Sequence, residues 1–209
     1  DFPEDHLHHR GIFWTWHQLF IDTTQVADPW LCSGIKWEID SIERLVSAKK
    51  AILKIRINWE VNYNNMPYQI IREETEITYF PTENGYKLLF RIELNPLGNN
   101  IKLGGSDDEK GYGGFSFRMK LNDSTSFHTN DGSIEPKNLA MELGNWVEVQ
   151  NIENHNIKVE NLSDSKIPFK GWILRKKKSM QNAAIPGRKL LDLEKGNPLV
   201  LEHSLEVSL

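Results

Sequence analysis

Alternation of apolar and polar residues with a period of two is the dominant pattern along the chain. In residues 53–61 every odd position is apolar and every even position is polar. Residues 86–94 alternate in a similar way, with one exception at Leu89, and residues 115–121 and 199–207 are two further cases. Because successive side chains of a strand point to opposite faces, this pattern predicts strands with one buried and one wet face.

Weaker strand signals occur at residues 34–39, 68–80, 146–150, 156–161 and 171–174, and turn dipeptides such as Asn84-Gly85 separate the segments. No amphipathic helix is evident, since the best window, residues 39–51, fits a strand and turn equally well. One-sided alternation is typical of antiparallel strands that need a second sheet to cover them. The pattern therefore predicts an all-β, antiparallel β-sandwich, and the absence of a flexible linker predicts one domain over residues 1–209.

Composition narrows the function classes. The net charge of −4 weighs against nucleic acid as a partner, because such proteins carry a basic footprint. No apolar run is long enough to cross a membrane. The single cysteine, Cys32, excludes an intrachain disulfide and is expected to be a small buried residue. The chain starts at Asp1 without an initiator Met, so we expect that an N-terminal part of the full protein is missing.

Three histidines fall within four positions near the start of the chain, at His6, His8 and His9. In an extended segment His6 and His8 point to the same side, about 6.7 Å apart, and His9 points away. Imidazole is suited to proton transfer near neutral pH. We predict that all three are catalytic acid–base groups. The alternatives are hydrogen-bonded structural histidines and a divalent metal held by His6 and His8, with a third ligand from far away.

Aromatic and cationic residues surround this run and extend the candidate site. Tryptophan near polar groups suits sugar rings, although tryptophan also fills sandwich cores. The glycine-rich stretch 104–114 lacks the Gly-Lys-Ser/Thr ending of a phosphate loop, and we expect it to be a mobile loop over a ligand. The basic run 175–178 is expected to be a solvated turn. The predicted substrate-binding residues are Arg10, Trp14, His17, Trp30, Lys110, Tyr112 and Arg118.

The segment Asp5-His6-Leu7-His8-His9-Arg10-Gly11 resembles the Asp-His-Pro-His-His-Arg-Gly signature of the bacterial PmoA-like proteins. Trp30, the stretch 110–114, Arg118 and the stretch 196–201 also look like that family, although Leu7 replaces its proline. The resemblance implies a β-sandwich akin to the mutarotase-like supersandwich, a role in bacterial sugar metabolism, and a periplasmic or secreted location. The inherited methane-oxygenase label of that family would need transmembrane helices, which this sequence lacks.

Three hypotheses follow from the sequence. The first is a carbohydrate-active enzyme that hydrolyses, eliminates or epimerises a sugar with a histidine as general acid or base. The second is a carbohydrate-binding module without catalysis, in which the aromatic residues matter and the histidines do not. The third is a metal-dependent enzyme with a His-x-His site.

Overall fold

The structure, a computed structural model, describes residues 8–152 and 154–209. Within these residues the only helical element is a 3-10 turn, Pro29–Leu31, so the predicted all-β fold is confirmed. The strands are β1 Ile12–Trp16, β2 Gln18–Ile21, β3 Thr24–Ala27, β4 Ile35–Val46, β5 Ala51–Tyr63, β6 Met66–Thr82, β7 Gly85–Pro96, β8 Ile101–Gly104, β9 Gly113–Arg118, β10 Ser126–Thr129, β11 Gly132–Ile134, β12 Trp146–Ile152, β13 His155–Asn161, β14 Trp172–Ile173, β15 Met180–Ala184, β16 Leu191–Leu193 and β17 Leu199–Ser208.

These strands form three sheets, and every strand pair in them is antiparallel, as the alternation predicted. The long sheet has nine strands in the order β11-β10-β12-β13-β17-β7-β6-β5-β4. The short sheet has the order β1-β9-β15-β14, and a side sheet has the order β16-β8-β2-β3.

The four clearest alternations lie within β5, β7, β9 and β17. Strand β9 ends at Arg118, before the predicted end at Leu121. Just beyond that end, the Met119 N–H still bonds to the carbonyl of Ser179, but the chain then leaves the sheet. The pattern therefore located nine of the seventeen strands that the structure describes and placed their ends less well. It missed β1, β2, β3, β8, β10, β11, β15 and β16.

The main core lies between the long sheet and one face of the short sheet. Trp16 of β1 packs on Trp59 of β5, with ring centroids 6.1 Å apart. Phe115 of β9 packs on Phe90 of β7 at 5.1 Å and stacks on His203 of β17 at 4.3 Å. We call this face of the short sheet its inner face.

The outer face of the short sheet is also largely buried, which one-sided alternation did not predict. Phe13, Ser116 and Asn182 pair across the sheet and share the outer face. All residues of β15 and nearly all of β9 are buried, as in a strand covered on both sides. A second, smaller apolar cluster, which includes Trp30 and Tyr112, covers this face.

Cys32 is exposed, which contradicts the expectation of a buried thiol. The residue ends the 3-10 turn in a left-handed conformation, with φ of 54°, and this turn lies on the surface side of Trp30. No helix in the described part of the chain has the length and apolar character needed to cross a membrane.

Candidate functional site

Trp30 is the centre of a cluster on the outer face of the short sheet, and the 3-10 turn holds it there. Asp28 precedes the turn and accepts a hydrogen bond from the Leu31 N–H through Oδ1 at 3.0 Å, while Pro29 occupies the first helical position. Both features favour a helical start. Trp30 is only 4% exposed. We call His8, His9, Phe13, His17, Trp30 and Tyr112 the histidine–aromatic cluster.

His9 is buried within this cluster. It is 3% exposed and stacks on Phe13 with ring centroids 4.4 Å apart and an interplanar angle of 9°. Its ring also meets the Trp30 ring edge-on at 4.7 Å. A ring enclosed in this way supports its neighbours and has little access to a substrate.

His8 differs from His9 because it is exposed at the surface of the cluster. Its Nε2 lies 2.9 Å from the backbone carbonyl oxygen of Trp30. A carbonyl only accepts hydrogen bonds, so Nε2 must carry the proton, and Nδ1 is then the basic nitrogen of the neutral ring. Trp30 thereby fixes the tautomer of His8.

His17 and Asp28 form a second oriented pair on the same tryptophan. His17 Nδ1 lies 3.1 Å from Asp28 Oδ2, and the two side chains are 22% and 21% exposed. The His17 ring stacks on Trp30 at 5.0 Å. Because the carboxylate accepts from Nδ1–H, Nε2 becomes the basic nitrogen. Asp28 therefore caps the turn with one oxygen and orients His17 with the other.

Tyr112 completes the cluster from the loop before β9. Its ring lies 5.7 Å from Trp30, and its hydroxyl donates to Asn138 Oδ1 at 2.5 Å. Burial raises the pKa of the Tyr112 phenol, while the charge and hydrogen bond of Arg175 work in the opposite direction.

Internal hydrogen bonds hold the stretch 104–114, which the sequence indicated to be mobile. Asp108 Oδ1 accepts from the backbone N–H groups of Lys110 and Gly111 at 3.0 and 3.2 Å. Ser106 Oγ accepts from the Tyr112 N–H at 2.8 Å. Partial burial opposes ionisation of Asp108, but hydrogen bonds from the Ser106 hydroxyl and from the backbone N–H groups of Gly111 and Lys110 lower its pKa overall. The loop therefore presents Tyr112 from a defined backbone, with the Lys110 side chain half-buried beside it.

Polar side chains of β9 and β15 lie on the same outer face. Asn182 is fully buried, and its Nδ2 donates to Ser116 Oγ at 2.9 Å and to the carbonyls of Gly113 and Phe115 at 3.2 Å. Arg118 shares this face by register, and its Nη1 donates to Ser179 Oγ at 2.9 Å. These residues form a polar region of the outer face next to the histidine–aromatic cluster.

Trp14, a predicted substrate-binding residue, lies on the inner face and is not brought to the cluster. Its indole N–H donates to Glu73 Oε1 at 2.9 Å. Glu73 also accepts from the indole of Trp59 at 2.9 Å and from the Thr75 hydroxyl at 2.8 Å. Burial raises the pKa of the Glu73 carboxyl, and its three hydrogen bonds act in the opposite direction.

Two candidates remain, His6 and Arg10. His6 lies outside the described residues, and the structure therefore describes only His8 of the proposed metal pair. Arg10 is described and exposed, two residues before β1. Across residues 8–152 and 154–209, no group of three or more His, Cys, Asp or Glu side chains is arranged to hold a metal ion.

Sequence reasoning missed Asp28, Asn138 and Asn182. A usable signal existed for Asp28, since Asp followed by Pro marks a helical start, but nothing in the sequence pairs it with His17. Asn138 and Asn182 are single polar residues whose partners lie far away in the chain.

Comparison with known proteins gives a family and a distant likeness of fold. The model of a family of unknown function, DUF6807, matches residues 1–208. No curated protein matches the sequence. The structure is similar to that of a galactose mutarotase related enzyme from Lactobacillus acidophilus, with a TM-score of 0.46 and 8% identity over 95% of this chain and 82% of that one. It is also similar to a candidate mutarotase, YeaD, from Salmonella typhimurium, with a TM-score of 0.46 and 9% identity over 94% of this chain and 72% of that one.

Proposed function

The chain belongs to the DUF6807 family, whose function is unknown, and we propose that it is a carbohydrate-active enzyme that transfers protons through His17 and His8. One observation carries the proposal. Two imidazoles are oriented around a single buried tryptophan, His17 by Asp28 and His8 by the Trp30 carbonyl. Each ring therefore has one defined basic nitrogen.

Hydrolysis, elimination and epimerisation of a sugar all need one group that accepts a proton and one that donates it. His17 Nε2 is suited to accept a proton, because the Asp28 carboxylate stabilises the imidazolium that forms. His8 is suited to the complementary transfer from its exposed position. His9, which is enclosed between Phe13 and Trp30, acts as support for both.

The surroundings of these histidines suit a sugar. The exposed Arg10 offers a guanidinium that can bond to sugar hydroxyls, and aromatic rings lie close to it in the chain. Trp30 itself is 4% exposed, so it supports the site and is not a platform for a sugar ring. The resemblance of residues 5–14 to the PmoA-like proteins, with its link to bacterial sugar metabolism and export, points to the same substrate class.

The test is a panel of sugars and oligosaccharides, followed by NMR for anomer and epimer change and by reducing-end release. The wild type should turn over at least one sugar of the panel. Turnover should be about 10²–10⁴-fold lower in His17→Gln, and His8→Gln should show a smaller loss. His128→Gln is the matched control, because His128 lies on β10 in the long sheet, where its Nε2 is 2.9 Å from Ser126 Oγ. Its turnover should equal that of the wild type.

Two results would contradict the proposal. Turnover that is equal in the wild type and in both site variants would remove the histidines from the chemistry. Sugar binding without any turnover by the wild type would instead identify a non-catalytic binding module.

A further inference from the structure

A basic cleft opens beside the histidine–aromatic cluster. Its volume is about 450 Å³, and its lining includes Lys120, Asp123, Lys176, Lys177, Lys178 and Ser179. We call it the lysine cleft. Four of the residues that line it are lysines and one is an aspartate, in a protein whose net charge is −4. The exposed Glu135 pairs with one of these lysines, with its Oε2 4.0 Å from Lys176 Nζ.

A buried glutamine fixes the turn that carries three of these lysines. Gln181 is 0% exposed. Its Oε1 accepts from the Arg175 N–H at 2.7 Å, and its Nε2 donates to the carbonyls of Arg175 and Lys178 at 3.1 and 3.3 Å. The turn is therefore held to the sheet from inside, so the lysines project from a defined backbone and not from a loose loop.

The lysine cleft adjoins the cluster through covalent and polar contacts. Ser179 lines the cleft, and the next residue, Met180, packs in the same apolar group as Trp30 and Tyr112. Ser179 also accepts a hydrogen bond through Oγ from Arg118 Nη1 at 2.9 Å, and Arg118 lies on the outer face beside the cluster. Ser179 therefore links the lysine cleft to the outer face of the short sheet.

We propose that the lysine cleft binds the anionic substituent, a carboxylate or a sulfate ester, of the glycan on which the cluster acts. This inference rests on the proposed function and names its substrate class. Lysine ammonium groups attract oxyanions as compact point charges, and the volume is that of a small-molecule site. Nucleic acid is disfavoured, because its binding needs an extended basic surface and the chain as a whole is acidic.

Calorimetric titration at low ionic strength tests the inference with three trisaccharide-sized probes: trigalacturonate, a sulfated galactotriose and neutral galactotriose. The variant is the double substitution Lys177→Gln/Lys178→Gln. Its control is Lys49→Gln/Lys50→Gln, an equally exposed lysine pair in the turn between β4 and β5.

Wild-type protein should bind at least one charged probe more tightly than the neutral one, and the comparison of the two charged probes tells carboxylate from sulfate. The cleft variant should lose about tenfold or more in affinity for that probe, since it loses two charged partners, while the control keeps wild-type affinity. Equal binding of charged and neutral probes, no binding of any probe, equal losses in both double variants, or tighter binding of a short DNA duplex would overturn the inference.

Failure of the proposed function gives a different pattern. In that case the cleft variant still loses charged-probe affinity, but the wild type turns over none of the sugars. The converse result is turnover that depends on His17 but not on the two lysines or on substrate charge. That result would support the proposed function and contradict the anion-binding role of the lysine cleft.

Discussion

The two faces of the short sheet use similar residues for different purposes. On the inner face, Trp14 and Trp16 pack against the long sheet, and their indole N–H groups donate to Glu73 and to the Ile185 carbonyl. On the outer face, Phe13 and Trp30 pack against imidazoles. Alternate residues of β1 supply both arrangements, because successive side chains of a strand point to opposite faces.

The difference lies in what covers each face. A nine-stranded sheet covers the inner face, where Trp16 and Phe115 are fully buried and Trp14 is partly buried. Short loops and a single 3-10 turn cover the outer face, so its centre is buried while His8 and His17 keep exposed edges. A cover made of loops is what allows buried support and accessible chemistry to occur within a few residues.

We expect the largest difference between the two faces in the stability that is lost when a buried aromatic ring is removed. Phe115→Ala removes a fully buried inner ring and should lower the free energy of unfolding by about 3–5 kcal/mol. Phe13→Ala, on the outer face, should cost less, because Phe13 is only half-buried. Urea unfolding of both variants measures the difference. A cost for Phe13→Ala equal to that of Phe115→Ala would mean that the outer cluster is part of the same structural core.

A histidine on the inner side should make stability depend on pH. Burial lowers the pKa of His203 from 6.5 to about 3. Between these values the unfolded chain binds more protons than the folded chain. The free energy of unfolding should therefore rise with pH across this window, by up to about 1.4 kcal/mol per pH unit, and fall as the pH drops from 6.5 toward 3.

Urea unfolding at several pH values, with wild type and His203→Phe, checks this dependence. The variant should lose that part of the slope, since a phenyl ring still stacks on Phe115 but does not titrate. An unchanged slope in His203→Phe would show that another group governs acid unfolding.

A smaller effect is expected on the outer side. Tyr112→Phe removes the hydroxyl that donates to Asn138 and should lower stability by about 1 kcal/mol. Tyr79→Phe is the control, because Tyr79 is 39% exposed and lies on the long sheet. Thermal unfolding compares the two. Identical melting temperatures for the two variants would show that the hydrogen bond between Tyr112 and Asn138 does not stabilise the outer face.

The sequence predicted the longer strands because alternation is local, and it indicated the start of the chain as a candidate site. It could not assign faces. Trp14 and Trp30 look alike in sequence, yet Trp14 donates a hydrogen bond to Glu73 on the inner face, and the ring of Trp30 packs against histidine rings on the outer face. Cys32 was expected to be buried because of its residue type, but its position after the 3-10 turn exposes it.

Long-range pairing explains the other gaps. The partners of Tyr112 and Arg118 are 26 and 61 residues away in the chain, beyond the reach of any local pattern. The single domain, the PmoA-like resemblance and the periplasmic or secreted location stay predictions, as does the catalytic role of His6, which lies outside the described residues.

The most direct measurement of the central claim is the turnover number of Asp28→Asn. The asparagine oxygen can still cap the turn at Leu31, so the free energy of unfolding should stay within about 0.5 kcal/mol of the wild type. Its amide N–H₂ would face His17 Nδ1, which must then accept, so that Nε2 carries the proton and is no longer basic. Turnover should fall about 10²–10⁴-fold. A folded Asp28→Asn protein with wild-type turnover would contradict the assignment of His17 and Asp28 as the catalytic pair.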